Sequence, residues 1–218
     1  MASDLTAPRI LVLASGTGTN LQSLIEATKS QGFPGEIVAV GSNRPKAPAL
    51  GLASQAGIET FVVDHTQYKT RQDFDGMLRA EINRYAPDLI VMAGFMRILT
   101  TEFVRAFHGR MLNIHPSLLP KYPGLGTHRR ALAAGDRLHG VTIHFVTEEL
   151  DGGPIVAQAD LTIDPDDTAE TLARRVQEKE HLLYPIVVRW FCEGRLQLAG
   201  NEVRFDGAPL PTPFYLED

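Results

Sequence analysis

The stretch NIHPSLLPKYPG, residues 113–124, places an amide and an imidazole two positions apart at the end of an apolar run. In an extended chain, residues i and i+2 point to the same side, so Asn113 and His115 face one way. An amide donor beside an imidazole suits a reaction in which a carbonyl oxygen gains negative charge while a proton moves. The alternative is a buried, hydrogen-bonded pair that only shapes the proline-containing loop behind it.

A third candidate group is the carboxylate in ELDGGP, residues 149–154, where Asp151 precedes two glycines and a proline. Aspartate at such a position commonly forms an Asx-turn, which is a purely structural role. If Asp151 instead reaches His115, its charge favours the protonated imidazole and fixes the orientation of the ring. The sequence leaves both roles open.

A glycine-rich turn, SGTGTNLQ at residues 15–22, joins an apolar run to a helical pattern. Gly16 and Gly18 permit a tight turn and expose backbone N–H groups at a helix start, which favours an anion such as phosphate. A dinucleotide-binding fingerprint needs a third glycine where Leu21 stands, and the Gly-Lys-Ser/Thr of a Walker A loop is absent. The sequence predicts a phosphate site of neither common type; the alternative is a plain strand-to-helix turn.

Alternating strands and helices must position these groups. Residues 70–86 carry an apolar stripe at helical spacing. The chain also contains short, continuous apolar runs, which are typical of strands buried on both faces. Those runs cover residues 9–14, 36–43, 59–64, 88–94 and 111–115. The alternation predicts an α/β fold with a doubly wound, mostly parallel sheet flanked by helices.

The C-terminal half has a different pattern. Residues 139–149 and 154–163 indicate an antiparallel strand pair, and a long helix follows over 168–193. Pro185 predicts a kink or a break in that helix, and the proline-rich tail is expected to lie extended on the surface. Since no repeat or linker is evident, we expect a single domain over residues 1–218.

Composition narrows the class of protein. The 218 residues carry a formal net charge of −5, which argues against a nucleic-acid-binding surface. One cysteine excludes an internal disulfide and, without a signal peptide or membrane span in the sequence, indicates the cytoplasm. The histidines show no metal-ligand spacing, so no metal is expected.

Four segments, in this order, resemble the folate-dependent formyltransferases: ASGTGTNLQ, MAGFMRIL, LNIHPSLLPKYPG and ELDGGP. The segment KYPGLGTHR and the short single-domain length are most similar to the phosphoribosylglycinamide formyltransferases. The similarity runs from Arg9 to about Gly194. It implies an enzyme of de novo purine biosynthesis that moves a formyl group from 10-formyltetrahydrofolate to the amine of 5′-phosphoribosylglycinamide, with a Rossmann-like formyltransferase fold.

The same resemblance implies roles for individual residues. Asn113, His115 and Asp151 correspond to the catalytic trio. The ribonucleotide would be held by Gly18, Thr19, Asn20, Leu21, Gln22, Gln177 and Glu180, and the folate by Arg71, Met96, Arg97, Ile98, Leu99 and Asn113. The N-terminal lobe, about 9–110, would bind the phosphate, and the C-terminal lobe, about 111–200, would be catalytic and folate-binding.

Other functions remain as alternatives. A methionyl-tRNA formyltransferase carries an additional C-terminal tRNA-binding domain, and a formyltetrahydrofolate deformylase carries an additional N-terminal regulatory domain. A non-catalytic nucleotide-binding module would not need an intact Asn113, His115 and Asp151. We therefore expect small-molecule substrates, no nucleic-acid or membrane partner, and a monomer or homodimer.

Overall fold

Runs of isoleucine, leucine and valine form the central strands of the fold. The computed structural model describes residues 7–216, in which one sheet contains eight strands and a second contains three. The strands of the large sheet are β1 (Arg9–Leu13), β2 (Glu36–Ser42), β3 (Glu59–Val62), β4 (Leu89–Met92), β5 (Met111–His115), β6 (Leu138–Phe145), β7 (Ile155–Thr162) and β11 (Phe214–Tyr215). The small antiparallel sheet consists of β8 (Leu196–Ala199), β9 (Glu202–Phe205) and β10 (Ala208–Pro209).

Helices connect and cover the strands of the large sheet. They are α1 (Thr19–Lys29), α2 (Pro48–Gln55), α3 (Arg71–Arg84), α4 (Thr101–Ala106), α5 (Thr127–Ala134) and α6 (Ala169–Cys192), with a short 3-10 helix at His65–Gln67. None of these helices, which lie within residues 7–216, is long and apolar enough to cross a membrane.

The strand order of the large sheet is β11-β7-β6-β5-β4-β1-β2-β3. Strands β3, β2, β1, β4 and β5 are parallel, whereas β6 is antiparallel to both of its neighbours. The predicted doubly wound sheet and its antiparallel pair are therefore confirmed. The chain moves outward from β1 to β3 and then returns to the other side of β1 with β4. The carboxyl ends of β1 and β4 thus meet at the topological switch point, where open α/β sheets bind their ligands.

The two faces of the sheet have separate hydrophobic cores. Along β1, Ile10 and Val12 pack into one core, and Leu11 and Leu13 pack into the other. Helices α1 and α6 cover the first face, and α3 and α4 cover the second. Continuous apolar runs are required in these strands because both faces exclude water.

Of the predicted kink or break at Pro185, the break is wrong, because helix α6 runs unbroken through that residue. A proline inside a helix costs about 3 kcal/mol through the lost hydrogen bond and the ring clash. The side chains around it offset that cost, since Leu183, Tyr184, Val187 and Val188 are all buried in the core. Tyr184 also donates its hydroxyl hydrogen toward the carbonyl oxygens of Met92 and Leu112, 3.1 and 3.0 Å away, beneath β4 and β5.

The C-terminal tail does more than lie extended on the surface. Strand β11 adds to the edge of the large sheet in parallel with β7. Its Phe214 packs against the rings of Trp190 and Phe205, with centroids 4.5 and 4.6 Å apart. Aromatic packing therefore fixes the tail against α6 and the small sheet.

Candidate active site

Strand β5 carries two of the three candidate catalytic groups. Asn113 and His115 lie two residues apart at its carboxyl end and both line one cleft. The flanking residues Leu112 and Ile114 belong to the core, and Ile114 also borders the cleft. The alternation of the strand thus presents the amide and the imidazole on the same side, and His115 is only 5% exposed.

Asp151 reaches His115 from the loop between β6 and β7. Its Oδ2 atom lies 3.4 Å from Nδ1 of His115 and accepts the backbone N–H of Gly124 at 2.8 Å. Asp151 has a φ of 51°, in the left-handed region that aspartate tolerates better than most residues. Beside it, a side chain at Gly153 would overlap the carbonyl oxygen of Phe145, so only glycine lets the turn fold back onto β6.

The second ring nitrogen of His115 also faces an acceptor. Nε2 lies 2.8 Å from the carbonyl oxygen of Tyr122, and a carbonyl can only accept a hydrogen bond. Nε2 therefore carries a proton, while Nδ1 faces the carboxylate of Asp151. Each ring nitrogen of His115 therefore faces a hydrogen-bond acceptor.

His144 holds the amide of Asn113. The two residues are direct partners across β5 and β6, and the Nδ2 atom of Asn113 lies 3.1 Å from Nε2 of His144. Nδ1 of His144 donates to the carbonyl oxygen of Phe145 at 2.9 Å, and burial lowers the pKa of His144. The neutral ring thus accepts one amide hydrogen at Nε2 and leaves the second N–H of Asn113 available to the cleft.

The cleft has a volume of about 580 Å³, a size typical of small-molecule sites. Its rim contains exposed apolar side chains from three loops, Met96, Ile98, Leu125 and Leu150. The lining consists of Arg71, Gly94, Phe95, Met96, Arg97, Ile98, Asn113, Ile114, His115, Pro116, Gly124, Leu125, Gly126, Thr127, His128, Leu150 and Asp151. This combination suits a flat, largely apolar ligand that carries anionic groups.

The structure brings most of the predicted folate residues to this cleft. Arg71, Met96, Arg97, Ile98 and Asn113 all line it. Leu99 instead packs against the core beneath α3 and α4, half-buried. Its side chain therefore supports the loop from behind.

The predicted ribonucleotide residues meet at the junction of α1 and α6. Gln177 donates to the hydroxyl of Thr19 at 2.8 Å, and Asn20 donates to the carboxyl of Glu180 at 2.6 Å. The Oδ1 atom of Asn20 is buried with no hydrogen-bond partner among residues 7–216. An unpaired buried acceptor is costly, so this atom is suited to a donor from a ligand.

The other members of that set lie in the same turn. Gly18 precedes α1 with a φ of 86°, Leu21 is fully buried in the core, and the side chain of Gln22 donates to Glu26. Leu21 can therefore contribute its backbone N–H at the helix start more readily than its side chain, whereas the backbone N–H of Gln22 is already bonded to the carbonyl oxygen of Gly18 at 2.8 Å. Burial raises the pKa of the Glu180 carboxyl, although the bond from Asn20 opposes that shift.

Comparison with known proteins identifies the family. The formyl transferase family model matches residues 8–188. The chain is 49% identical to phosphoribosylglycinamide formyltransferase of Escherichia coli K12 over 209 residues, which cover 96% of this chain and 99% of that protein. The phosphoribosylglycinamide formyltransferase of Coxiella burnetii, whose structure has been solved, is 51% identical, with a TM-score of 0.92 over 96% of this chain and 99% of that one. The chain belongs to the phosphoribosylglycinamide formyltransferase family.

Similarity extends to eukaryotic proteins. The chain is 41% identical to the trifunctional purine biosynthetic protein adenosine-3 of Homo sapiens over 193 residues. These residues cover 88% of this chain and 19% of the human protein. Membership of the phosphoribosylglycinamide formyltransferase family makes the chain a formyltransferase of purine biosynthesis, with 10-formyltetrahydrofolate as co-substrate. Within residues 7–216, no group of three or more His, Cys, Asp or Glu side chains is placed to hold a metal ion.

Several contacts of this candidate site have weak sequence signals. The bond between His144 and Asn113 depends on the register of two strands. The alternation along residues 139–149 shows only that His144 and Ile143 lie on opposite faces of their strand. The Tyr122 contact uses a backbone carbonyl, which no side-chain motif reveals. His128 lines the cleft and is hydrogen-bonded to His139 at 3.0 Å, an arrangement that needs the folded loop.

Proposed function

We propose that Asn113, His115 and Asp151 catalyse transfer of the formyl group from 10-formyltetrahydrofolate to the amine of 5′-phosphoribosylglycinamide, which gives the N-formyl product and tetrahydrofolate. The observation that carries this proposal is the convergence of the three side chains in one cleft, with Asp151 3.4 Å from His115 and both residues nearly buried.

The amine attacks the formyl carbon directly, so the enzyme needs no covalent intermediate of its own. The formyl oxygen becomes an oxyanion, which the free N–H of Asn113 and the Nε2–H of His115 stabilise. Because Nε2 now donates to the Tyr122 carbonyl, the substrate oxygen must displace that carbonyl to receive the hydrogen bond. His144 keeps the Asn113 amide turned toward the cleft.

Asp151 maintains the charge of His115. The attacking amine loses a proton and the departing folate nitrogen gains one, so the reaction needs a proton path but no net acid or base. His115, with Asp151 at its Nδ1 atom, provides that path directly or through a water molecule. A carboxylate in this position also stabilises the positive charge that the imidazole carries while it holds the transferred proton.

The junction of α1 and α6 holds the ribonucleotide in this proposal. The backbone N–H groups at the start of α1, at Gly18, Thr19 and Asn20, receive the phosphate. Glu180 and Gln177 bind the polar groups of the sugar and glycinamide portions from the opposite side. The buried, unpaired Oδ1 atom of Asn20 supports a ligand at this junction.

The folate lies along the loop that follows β4. Met96 and Ile98 supply apolar contact for the ring system, and Arg71 and Arg97 supply positive charge for carboxylates. Asn113 then meets the formyl group at the inner end of the cleft. Leu99 supports this loop from the core side.

Some features of the whole protein are also part of the proposal. The large sheet continues from β3 to β11 across both predicted lobes, which supports a single domain. We place the enzyme in the cytoplasm, acting on small molecules as a monomer or homodimer without a nucleic-acid partner.

An acceptor comparison tests the proposed reaction. Absorbance of the folate product is followed with 5′-phosphoribosylglycinamide, without an acceptor, and with charged initiator tRNA. We expect turnover only with the ribonucleotide. Turnover without an acceptor would indicate hydrolysis to formate, turnover with tRNA would indicate a tRNA formyltransferase, and either result would overturn the proposal.

A further inference from the structure

Ser15 lies at the carboxyl end of β1, beside the start of the loop that follows β4. It is 2% exposed, and its hydroxyl oxygen accepts the backbone N–H of Met96 at 2.8 Å. The same hydroxyl donates its hydrogen to Oδ1 of Asn43 at 2.5 Å. One buried side chain thus joins the ends of three neighbouring strands, β1, β2 and β4.

The contact to Met96 is unusual for its loop. Within residues 7–216, Met96 is the one residue between Phe95 and Leu99 whose backbone makes a hydrogen bond, and that bond is to Ser15. The loop is next fixed at Thr100, whose N–H donates to the buried Asp75. The Ser15 hydroxyl therefore supplies the hydrogen bond that fixes the backbone of this cleft wall, beside the packing of Phe95 and Leu99 against the core.

Asn43 makes Ser15 a rigid support. The Asn43 side chain is 1% exposed, and its neighbour His65 lies within hydrogen-bond distance of it, with Nδ1 3.2 Å from Nδ2 and 2.8 Å from the backbone oxygen. Because the single hydrogen of Ser15 is committed to Asn43, the hydroxyl lone pairs face the Met96 N–H. The rotamer of Ser15 is thereby fixed without a ligand.

We propose that Ser15 is a positioning residue for the folate, holding the Met96–Leu99 loop in its binding geometry from behind the cleft. Ser15 does not line the cleft and touches no substrate in this scheme. The inference rests on the proposed folate role of that loop. Removal of the hydroxyl leaves the Met96 N–H without its partner and frees the loop to adopt other conformations.

The test measures the dissociation constants of tetrahydrofolate and of 5′-phosphoribosylglycinamide separately, by calorimetry, in Ser15→Ala. A lost hydrogen bond of ordinary strength predicts that tetrahydrofolate binds up to about tenfold more weakly. The ribonucleotide constant should change much less, because the Ser15 hydroxyl bonds to Asn43 and Met96 and to none of the predicted ribonucleotide residues.

Ser42→Ala provides the matched control. Ser42 is a fully buried serine at the end of β2, and its hydroxyl accepts the N–H of Arg44 within its own loop. We expect this variant to bind tetrahydrofolate normally. If Ser15→Ala does not fold, Ser15→Cys preserves the shape with a weaker acceptor and should show a smaller loss of tetrahydrofolate affinity.

Unchanged tetrahydrofolate affinity in folded Ser15→Ala, or in Ser15→Cys if only that variant folds, would overturn the inference. Equal weakening of both ligands, or equal effects of the Ser42 and Ser15 substitutions, would also overturn it and show a general structural role. Failure of the proposed reaction is distinguishable, since it would appear in the wild-type protein as an absence of turnover with the ribonucleotide.

Discussion

Oδ2 of Asp151 lies 3.4 Å from Nδ1 of His115, and the same oxygen accepts a hydrogen bond from the loop that folds over the imidazole. This oxygen therefore has two partners, one chemical and one structural, while Oδ1 lies 3.9 Å from Nε2 of His144. The two possible functions of Asp151, stabilising a charged His115 and forming a turn, are joined in one side chain and can be separated by substitution.

Asp151→Asn removes the charge and retains the shape. Asparagine tolerates the left-handed φ of 51°, and its side-chain oxygen can still accept the Gly124 N–H, so the fold should be preserved. We expect kcat to fall on the order of a hundredfold, because His115 loses the partner of its charged form. Steady-state kinetics at saturating concentrations of both substrates measures the effect.

Asp136→Asn is the control for that variant. Asp136 also contacts the loop over His115, where it accepts from Lys121 and from the hydroxyl of Tyr122. It makes no contact with the imidazole, so kcat should stay close to normal. Full activity in Asp151→Asn would assign Asp151 to the turn alone.

The glycines of the β1–α1 turn should differ in their tolerance of substitution. A Cβ atom at Gly18 would lie 2.9 Å from both Cα and Cβ of Ala49, and its φ is 86°, whereas Gly16 has open space around it. We expect Gly18→Ala to lower the free energy of unfolding by about 1–3 kcal/mol. Gly16→Ala should have little effect on stability in the same urea titration, and equal losses would contradict this account of the turn.

Glu180→Gln should improve stability and impair binding. Burial raises the pKa of the Glu180 carboxyl. The contribution of Glu180 to the free energy of unfolding is therefore complete at a pH below its unfolded-state pKa, and it declines as the pH rises through its folded-state pKa. At neutral pH the charged carboxylate is therefore a cost, and glutamine should raise Tm by about 2–4 °C. The KM for the ribonucleotide should rise while the KM for the folate does not; a matching rise in both would remove Glu180 from the ribonucleotide site.

The contact between buried His139 and half-buried His128 predicts loss of stability in mild acid. Burial is the largest effect that lowers the pKa of His139 to about 4, and the nearby charge of His128 is the next largest. A histidine whose pKa is depressed in the folded state contributes its full stability at pH values above the unfolded-state pKa of about 6.5. That contribution is lost as the pH falls toward 4.

In the His139→Asn variant, the decline in unfolding free energy between pH 6.5 and 4 should be shallower, by up to about 1.4 kcal/mol per pH unit. The exposed His108, substituted in the same way, serves as the reference. Parallel pH profiles for wild type and His139→Asn would show that His139 is not the responsible group.

Periodicity in the sequence predicted the sheet and placed Asn113 and His115 on one face, since alternation is a local property. The position of Asp151 beside His115 required the resemblance to known formyltransferases, because it depends on a loop 36 residues away in the chain, from 115 to 151. The pairing of His144 with Asn113 depends on strand register, and the Tyr122 contact depends on a backbone carbonyl. Neither feature has a side-chain motif from which it could be predicted.

The continuity of α6 and the pairing of the tail were missed for a related reason. Local rules predict a kink or a break at Pro185 and an exposed, proline-rich tail, and the break does not occur. Burial of the surrounding apolar residues and the aromatic contacts of Phe214 outweigh these local preferences. Both are tertiary effects that only the packed structure reveals.

The most direct test of the central claim is the turnover number for formyl transfer to 5′-phosphoribosylglycinamide in His115→Ala and Asn113→Ala, with both substrates saturating and the fold checked by circular dichroism. Each variant removes one donor to the developing oxyanion, so we expect kcat to fall at least about a hundredfold in both. Near-normal turnover in either folded variant would contradict the account.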